Sequence, residues 1–412
     1  MAGFRNLVTH FRKYGRSHKF FYTACFMLLF WSVFDGIISY ISPLVIVDEG
    51  FTNTAMGAII GSSSVAGALF DFLLSKYLRS SHWRRLYIVL FAICFVYPLI
   101  LWQAKTVPIY LIAMAIWGLY YDLLTFANFD FVSRETATNE HHESFGIISV
   151  FKSLGYLLAP IIVGLVIADN LDWKPFALSW IFLLISFVFL IVMTVMHKRK
   201  NGDKISEHIY KPLSFVKEIY LWKKLGKYFL PFLLFALVLS MQDAFFWTIG
   251  PLMSETFTQF KPFDGLFLTM YTLPTLIFGW FVGHFVDTFG KKKTALITFG
   301  LSFLFLSFFA FFDHPLLLLF LIFFSSSFST ITWAVEGGLI ADYIEDHETV
   351  EKEVEGLEDT SINLGYVFGP MLAGFAADKI GYLKSFSLLG LIGIITLFII
   401  SIMTSKKYFR MK

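Results

Sequence analysis

Runs of about 20 residues with almost no charge recur along the whole chain, and no other feature restricts the fold so strongly. Backbone N–H and C=O groups find no water in hydrocarbon, so a run of this length satisfies them there only as a helix. Such runs fall at 20–46, 54–75, 86–103, 108–131, 145–168 and 175–196, and again at 228–252, 264–286, 294–312, 315–341, 361–378 and 384–404. The chain therefore reads as an all-α polytopic membrane protein with twelve transmembrane helices. Composition agrees: of 412 residues, 57% are hydrophobic and 15% charged, against about 25% charged in an average soluble domain. So few charges cannot cover a core of this size with a water-facing surface.

Lysine and arginine set the orientation. Arg5, Arg12, Arg16 and Lys19 precede the first run, and Lys76, Arg79, Arg84 and Arg85 follow the second. Lys291, Lys292 and Lys293 follow the eighth, and Lys406, Lys407 and Arg410 close the chain. With an even number of spans these clusters share one side. Segments 1–19 and 405–412 are then expected in the cytoplasm, Asp48 and Glu49 outside, and the protein in the plasma (inner) membrane. The acidic stretch 342–359 reads as a cytoplasmic loop against this trend, which acids barely influence. Residues 197–227 form the polar linker between two halves. Within it, 211–227 reads equally as an amphipathic helix on the anionic leaflet or as a solvated connector. Cys25 and Cys94 lie inside apolar runs, so no disulfide framework is expected. The first 19 residues are basic and polar, and the run after them is too long for a signal peptide.

Self-comparison exposes a duplication. SLGYLLAPIIVG (153–164) and NLGYVFGPMLAG (363–374) share Leu-Gly-Tyr, the Pro and the last Gly at an offset of 210. Asp35 and Pro43 in the first run match Asp243 and Pro251 in the seventh at an offset of 208. Gly67 and Asp71 after the second run match Gly283 and Asp287 after the eighth. Three coincidences in the same order indicate a repeated six-span unit, with bundles at 20–196 and 228–404. Parallel repeats of this kind build secondary transporters whose solute site lies near mid-membrane, between the halves.

These motifs resemble those of the major facilitator superfamily over nearly the whole chain. GHFVDTFGKK (283–292) is similar to the family's loop signature G-x3-D-R-x-G-R-K, with Thr288 and Lys291 in place of the two Arg. GALFDFLLSK (67–76) keeps Gly67, Asp71 and Lys76 but lacks the second Gly and both Arg. Gly146, Gly155, Ala159, Pro160, Val163 and Gly164 resemble the fifth-span motif G-x8-G-x3-G-P-x2-G-G, repeated as Gly356, Gly365, Gly369, Pro370, Ala373 and Gly374. The resemblance implies an alternating-access transporter. Gly67, Asp71, Gly283, Asp287, Gly290 and Lys291 would form the gating motif, and Gly155, Pro160, Gly164, Gly365, Gly369, Pro370 and Gly374 the close helix packing. It also implies that the first, fourth, seventh and tenth spans line the cavity.

Those four spans carry five acids. Asp35 and Asp243 lie deep in their runs, Asp122 near the middle of the fourth, Glu336 in the cytoplasmic half of the tenth, and Asp130 two turns beyond Asp122. An ionised acid without a partner at this depth is costly, so each is a candidate for proton exchange or solute contact. A hydrogen bond to a neighbouring helix is the alternative role for each. Trp31, Trp117, Tyr121, Trp247 and Trp333 share those spans and offer stacking faces, with packing as the alternative. No Lys or Arg sits near mid-membrane; Lys152, about two turns into the fifth span, comes nearest. Acids without bases suit a cationic, amphiphilic or neutral organic solute, coupled to H+, with export slightly favoured; the alternative is proton-driven uptake, or uncoupled facilitation, of a neutral metabolite such as a sugar.

Rival classes fit poorly. GKKKT (290–294) has Phe285 where a phosphate-binding loop needs Gly. His141-His142-Glu143 and His347-Glu348 lack H-E-x-x-H spacing, and no G-x-S-x-G elbow exists. The expectation is a monomeric carrier in a lipid bilayer, with no enzyme activity, cofactor, metal or nucleic-acid partner.

Overall fold

The computed structural model describes residues 19–77, 82–137, 140–167, 171–197, 215–257, 265–278, 282–346 and 351–405. Among them every regular element is helical. In chain order these are α1 (Lys19–Asp48), α2 (Asn53–Tyr77), α3 (Trp83–Gln103), α4 (Val107–Glu135), α5 (His141–Gly164) and α6 (Lys174–Met196). The second set is α7 (Phe215–Glu255), α8 (Leu266–Phe278), α9 (Val282–Phe289), α10 (Lys291–Ser307), α11 (Pro315–Asp346), α12 (Glu351–Ile380) and α13 (Tyr382–Ser405). With α8 and α9 as two pieces of the eighth span, these make the twelve expected passes. Nine of the described helices are long and apolar enough to cross a membrane, and α8 is a shorter apolar one.

Helix ends follow local chemistry. His82 caps α3 by accepting from the Arg84 N–H, and Pro108 and Pro175 stand in the first turns of α4 and α6, where a missing N–H is harmless. Gly290 takes φ 77° between α9 and α10, a left-handed turn that its neighbours could adopt only with strain. Two boundaries differ from the sequence reading. Residues 215–227 are helical and continue through Gly226 into α7 without a break. The stretch 342–359 is mostly helix, as the last turn of α11 and the first turns of α12, with 347–350 outside the described residues. Acids at the water-facing ends of long helices satisfy the same charge pattern as a loop.

The helices pack as two pseudo-symmetric six-span bundles. In the first, α1 lies against α5 and α6, and α4 against α2 and α3; in the second, α7 lies against α12 and α13, and α11 against α8 and α10. The equivalent glycines of the fifth-span motif explain two of these close seams. A Cβ placed on Gly155 would fall 2.5 Å from the Leu29 carbonyl oxygen, and one on Gly365 would fall 2.6 Å from that of Leu237. Neither position accepts a side chain without moving a helix. Between bundles, α2 packs on α12, α5 on α8 and α1 on α7.

Candidate functional site

Asp35 is 0% exposed, and three hydroxyls from two other helices converge on it. Tyr120 of α4 donates at 2.5 Å, Tyr156 of α5 at 2.8 Å, and Tyr121 of α4 makes a further short bond to the same carboxyl. Trp31, one turn earlier on α1, supports this cluster edge-on, with its ring 5.8 Å from Tyr120 and 6.1 Å from Tyr121. Trp117 lies behind Tyr121 at 6.4 Å. Both tryptophans are buried and pack against the tyrosines.

The second bundle repeats the device with one tyrosine hydroxyl fewer. Asp243 is half-buried and accepts from Tyr271 of α8 and Tyr366 of α12, each at 2.8 Å. Tyr271 stacks on Phe246, ring centroids 4.0 Å apart. Tyr156 and Tyr366 are the tyrosines of the repeated Leu-Gly-Tyr, and each reaches the acid of its own bundle's first helix. The clusters meet across the molecular centre, where Trp247, one turn after Asp243, lies edge-on to Tyr156 at 6.0 Å.

Lys152 completes the site. One turn before Tyr156 on α5, it is half-buried and close enough to Asp35 for each charge to act on the other. The equivalent position in the second bundle is Ile362.

On the side away from the termini the bundles are joined. Asp378, near the end of α12, accepts from both backbone N–H groups and both side chains at the start of α2: Asn53 N at 3.1 Å and Nδ2 at 2.8 Å, Thr54 N at 2.7 Å and Oγ1 at 2.6 Å. A carboxylate from one bundle therefore caps a helix of the other, where backbone donors and the helix dipole favour an anion. Below it, Cβ atoms on Gly57 or Gly374 would meet backbone atoms of the facing helix at 2.1 and 2.0 Å. A Cβ on Gly265, just before α8, would fall 2.0 Å from the Pro160 carbonyl oxygen of α5.

The family model described as Major Facilitator Superfamily matches residues 2–160 and 232–410. The chain belongs to that superfamily. Solved transporters share its fold at low identity. The nucleoside transporter NupG superposes with a TM-score of 0.73 at 13% identity, covering 94% of this chain and 100% of its own. The peptide transporter POT, as a variant in complex with sulfate, gives 0.73 at 14% identity over 95% of each chain. A bacterial homolog of the human lysosomal transporter Spinster, inward-facing and unoccupied, gives 0.69 at 10% identity, covering 93% and 95%. No curated protein matches the sequence.

Other candidate residues of this superfamily member stand apart from the centre. Asp122 faces α2, where a Cβ on Gly67 would lie 3.7 Å from its Oδ2. Asp130 is bound locally: it pairs with Arg134 at 2.6 Å and accepts from the Trp83 N–H at 2.7 Å, capping α3. Position on the same helix had grouped both with Asp35, but their side chains leave on other faces of α4. Trp333 is half-buried against the core of its bundle. Glu336 is 1% exposed, and neither carboxyl oxygen has a hydrogen-bond partner.

Of the gating motif, Asp287 and Gly283 are exposed at the terminal side. Lys291 pairs within its own bundle, reaching Asp342 at 2.6 Å and the Gly338 carbonyl at 3.4 Å. The Asp71 side chain lies outside the described residues. Gly164, the last residue of α5, is buried, and Pro160 and Pro370 stand inside α5 and α12. Sequence reasoning passed over Tyr120, Tyr156, Tyr271, Tyr366 and Asp378. The repeated Leu-Gly-Tyr was the signal for two of them.

Proposed function

We propose that the protein is a proton-coupled secondary transporter for a small, neutral, polar organic solute, held between the two Asp–Tyr clusters and released by alternating access. The observation that supports this is the state of the two central acids. Tyrosine hydroxyls occupy the Asp35 and Asp243 carboxyls, and Lys152 offsets the charge of Asp35. Such a centre presents fixed hydroxyls and ring faces instead of bare anions, which suits a solute with its own hydroxyls, carbonyls or ring. The nucleoside and peptide carried by NupG and POT, as their names state, are solutes rich in such groups.

The bundles join on the side away from the termini through Asp378, Gly57 and Gly374, while Asp287 stands exposed on the terminal side. Rocking the bundles about the centre would part the first contact and bring Asp287 toward the other bundle. The basic clusters support a cytoplasmic terminal side and residence in the plasma membrane. The second reading is export of a cationic or amphiphilic compound, favoured by the partly exposed Asp243.

The test is uptake into proteoliposomes of labelled nucleosides, sugars, dipeptides and quaternary amines, with and without an imposed pH gradient. Accumulation of a neutral solute that collapses with the gradient is the expected result. Gradient-driven movement of the amines alone would replace this reading with the second, and equilibration without accumulation would remove coupling.

A further inference from the structure

The two bundles differ at one buried carboxyl. The offset that relates Asp35 to Asp243 also relates the starts of α3 and α10, Trp83 and Lys291, and of α4 and α11, Val107 and Pro315. On that register Glu336 stands where the first bundle has Asn128, and Ala295 where it has Tyr87. In the first bundle the pair is closed, because Tyr87 Oη donates to Asn128 Oδ1 at 2.7 Å within the core. In the second the ring and its hydroxyl are gone. Ala295 and Glu336 are each 1% exposed, and both Glu336 oxygens are left unpaired.

The same seam is polar along its length only in the second bundle. Gln242 donates to Ser302 and Ser325 at 3.3 and 3.2 Å, and Thr298 and Thr332 share a bond at 2.8 Å one turn nearer Glu336. The matching positions in the first bundle are Phe34, Cys94 and Trp117, then Leu90 and Leu124. Beyond Glu336 the seam ends at the Lys291–Asp342 pair on the terminal side.

An ionised carboxylate buried without a partner costs several kcal/mol, whereas the neutral acid costs much less. The charged groups around Glu336 do not relieve it. Glu358 of α12 faces it with like charge, Lys291 of α10 is engaged by Asp342, Asp287 of α9 is exposed, and Asp243 of α7 is held by tyrosines. A metal cation would need about six oxygen ligands. Among the described residues no group of three or more His, Cys, Asp or Glu gathers.

We propose that Glu336 is the residue that binds and releases the driving proton, at the end of a polar seam that only the second bundle contains. The proposal rests on the reading of the protein as proton-coupled and narrows the coupling group to one acid. Asp35 and Asp243 then shape the solute site without exchanging the proton. Release would follow when rocking of the bundles opens Glu336 to water on the terminal side, beside the half-buried Glu358.

Infrared difference spectroscopy of the full chain in liposomes, titrated across roughly pH 5–9, tests this without a known solute. The carbonyl stretch of a protonated carboxyl, identified by its shift in heavy water, should titrate in the parent protein. It should survive in Asp35→Asn and Asp243→Asn and vanish in Glu336→Gln. The double variant Glu336→Asn with Ala295→Tyr, which rebuilds the first bundle's pair, should fold and also lack the band. A band retained in folded Glu336→Gln, or absent from the parent at every pH, overturns the assignment. A band that behaves as expected in a protein showing no pH-driven uptake would defeat the transport reading instead.

Discussion

The first bundle holds its central acid with three tyrosine hydroxyls and fills the seam behind it with apolar side chains; the second holds its acid with two and runs a line of hydroxyls to an unpaired glutamate. A duplicated unit begins with both copies equivalent, so each departure marks a role that one copy acquired or lost. What remained equal is the framework: the Asp–Tyr link and the close approach of the fifth-span glycines to the first helix. What diverged is polarity. The first bundle gained a base, Lys152, beside its acid, and the second gained a buried carboxyl, Glu336, away from its own. On the reading proposed above, this division would separate solute recognition from proton handling.

The largest expected effect concerns the shared framework. Gly155→Ala and Gly365→Ala each press a methyl group against a carbonyl oxygen, at 2.5 and 2.6 Å, and against the side chain of Ser32 or Ser240. Overpacking of this kind costs about 1–3 kcal/mol. Each variant should lower the unfolding temperature by several degrees, and by a similar amount, since the two geometries match. A loss confined to one bundle would show that the repeats no longer share their packing.

How much of this was legible beforehand follows the physics of each feature. The spans could be read because hydrocarbon forbids any other use of so many apolar runs, and Asp35 and Asp243 because charge is expensive at their depth. Facing was not legible. Asp122 and Asp130 lie on the same helix as Tyr120 and Tyr121, yet only the tyrosines reach Asp35, and one sequence gives no register for the rotation of α4. The cap from Asp378 to Asn53 and Thr54 joins residues more than 300 positions apart, and no local pattern announces such a contact.

The second prediction sharpens the contrast in hydroxyl count. A hydrogen bond to a charged group contributes about 1.5–3 kcal/mol, or roughly one to two decades in a binding or transport ratio. Tyr156→Phe leaves Asp35 with two tyrosine hydroxyls, whereas Tyr366→Phe leaves Asp243 with one. Solute exchange between equal compartments should therefore fall more in Tyr366→Phe, by about tenfold or more, than in Tyr156→Phe. Equal losses would mean that the third hydroxyl at Asp35 is not redundant and that the clusters act alike.

The smallest effect tests whether the bundles are held apart or together by the far-side cap. Asp378 is exposed, so solvent competes for its bonds and screens its charge. It nevertheless accepts from four donors at the start of α2, two of them backbone N–H groups that would otherwise end the helix unsatisfied. Asp378→Ala removes all four contacts, while Asp378→Asn keeps an acceptor oxygen but loses the charge that the helix dipole favours. Neither change touches the centre or the packing of Gly57 against Pro370, so folding should be unaffected. Spin labels on cysteines replacing Thr52 and Lys379 would report the separation across this junction. The long-distance population should rise a few-fold in Asp378→Ala and less in Asp378→Asn. Unchanged distances in both would leave the glycine contacts as the whole of the closure. The bundles would then be joined by shape alone on this side, and the exposed Asp287 on the other would be the next charged group to examine.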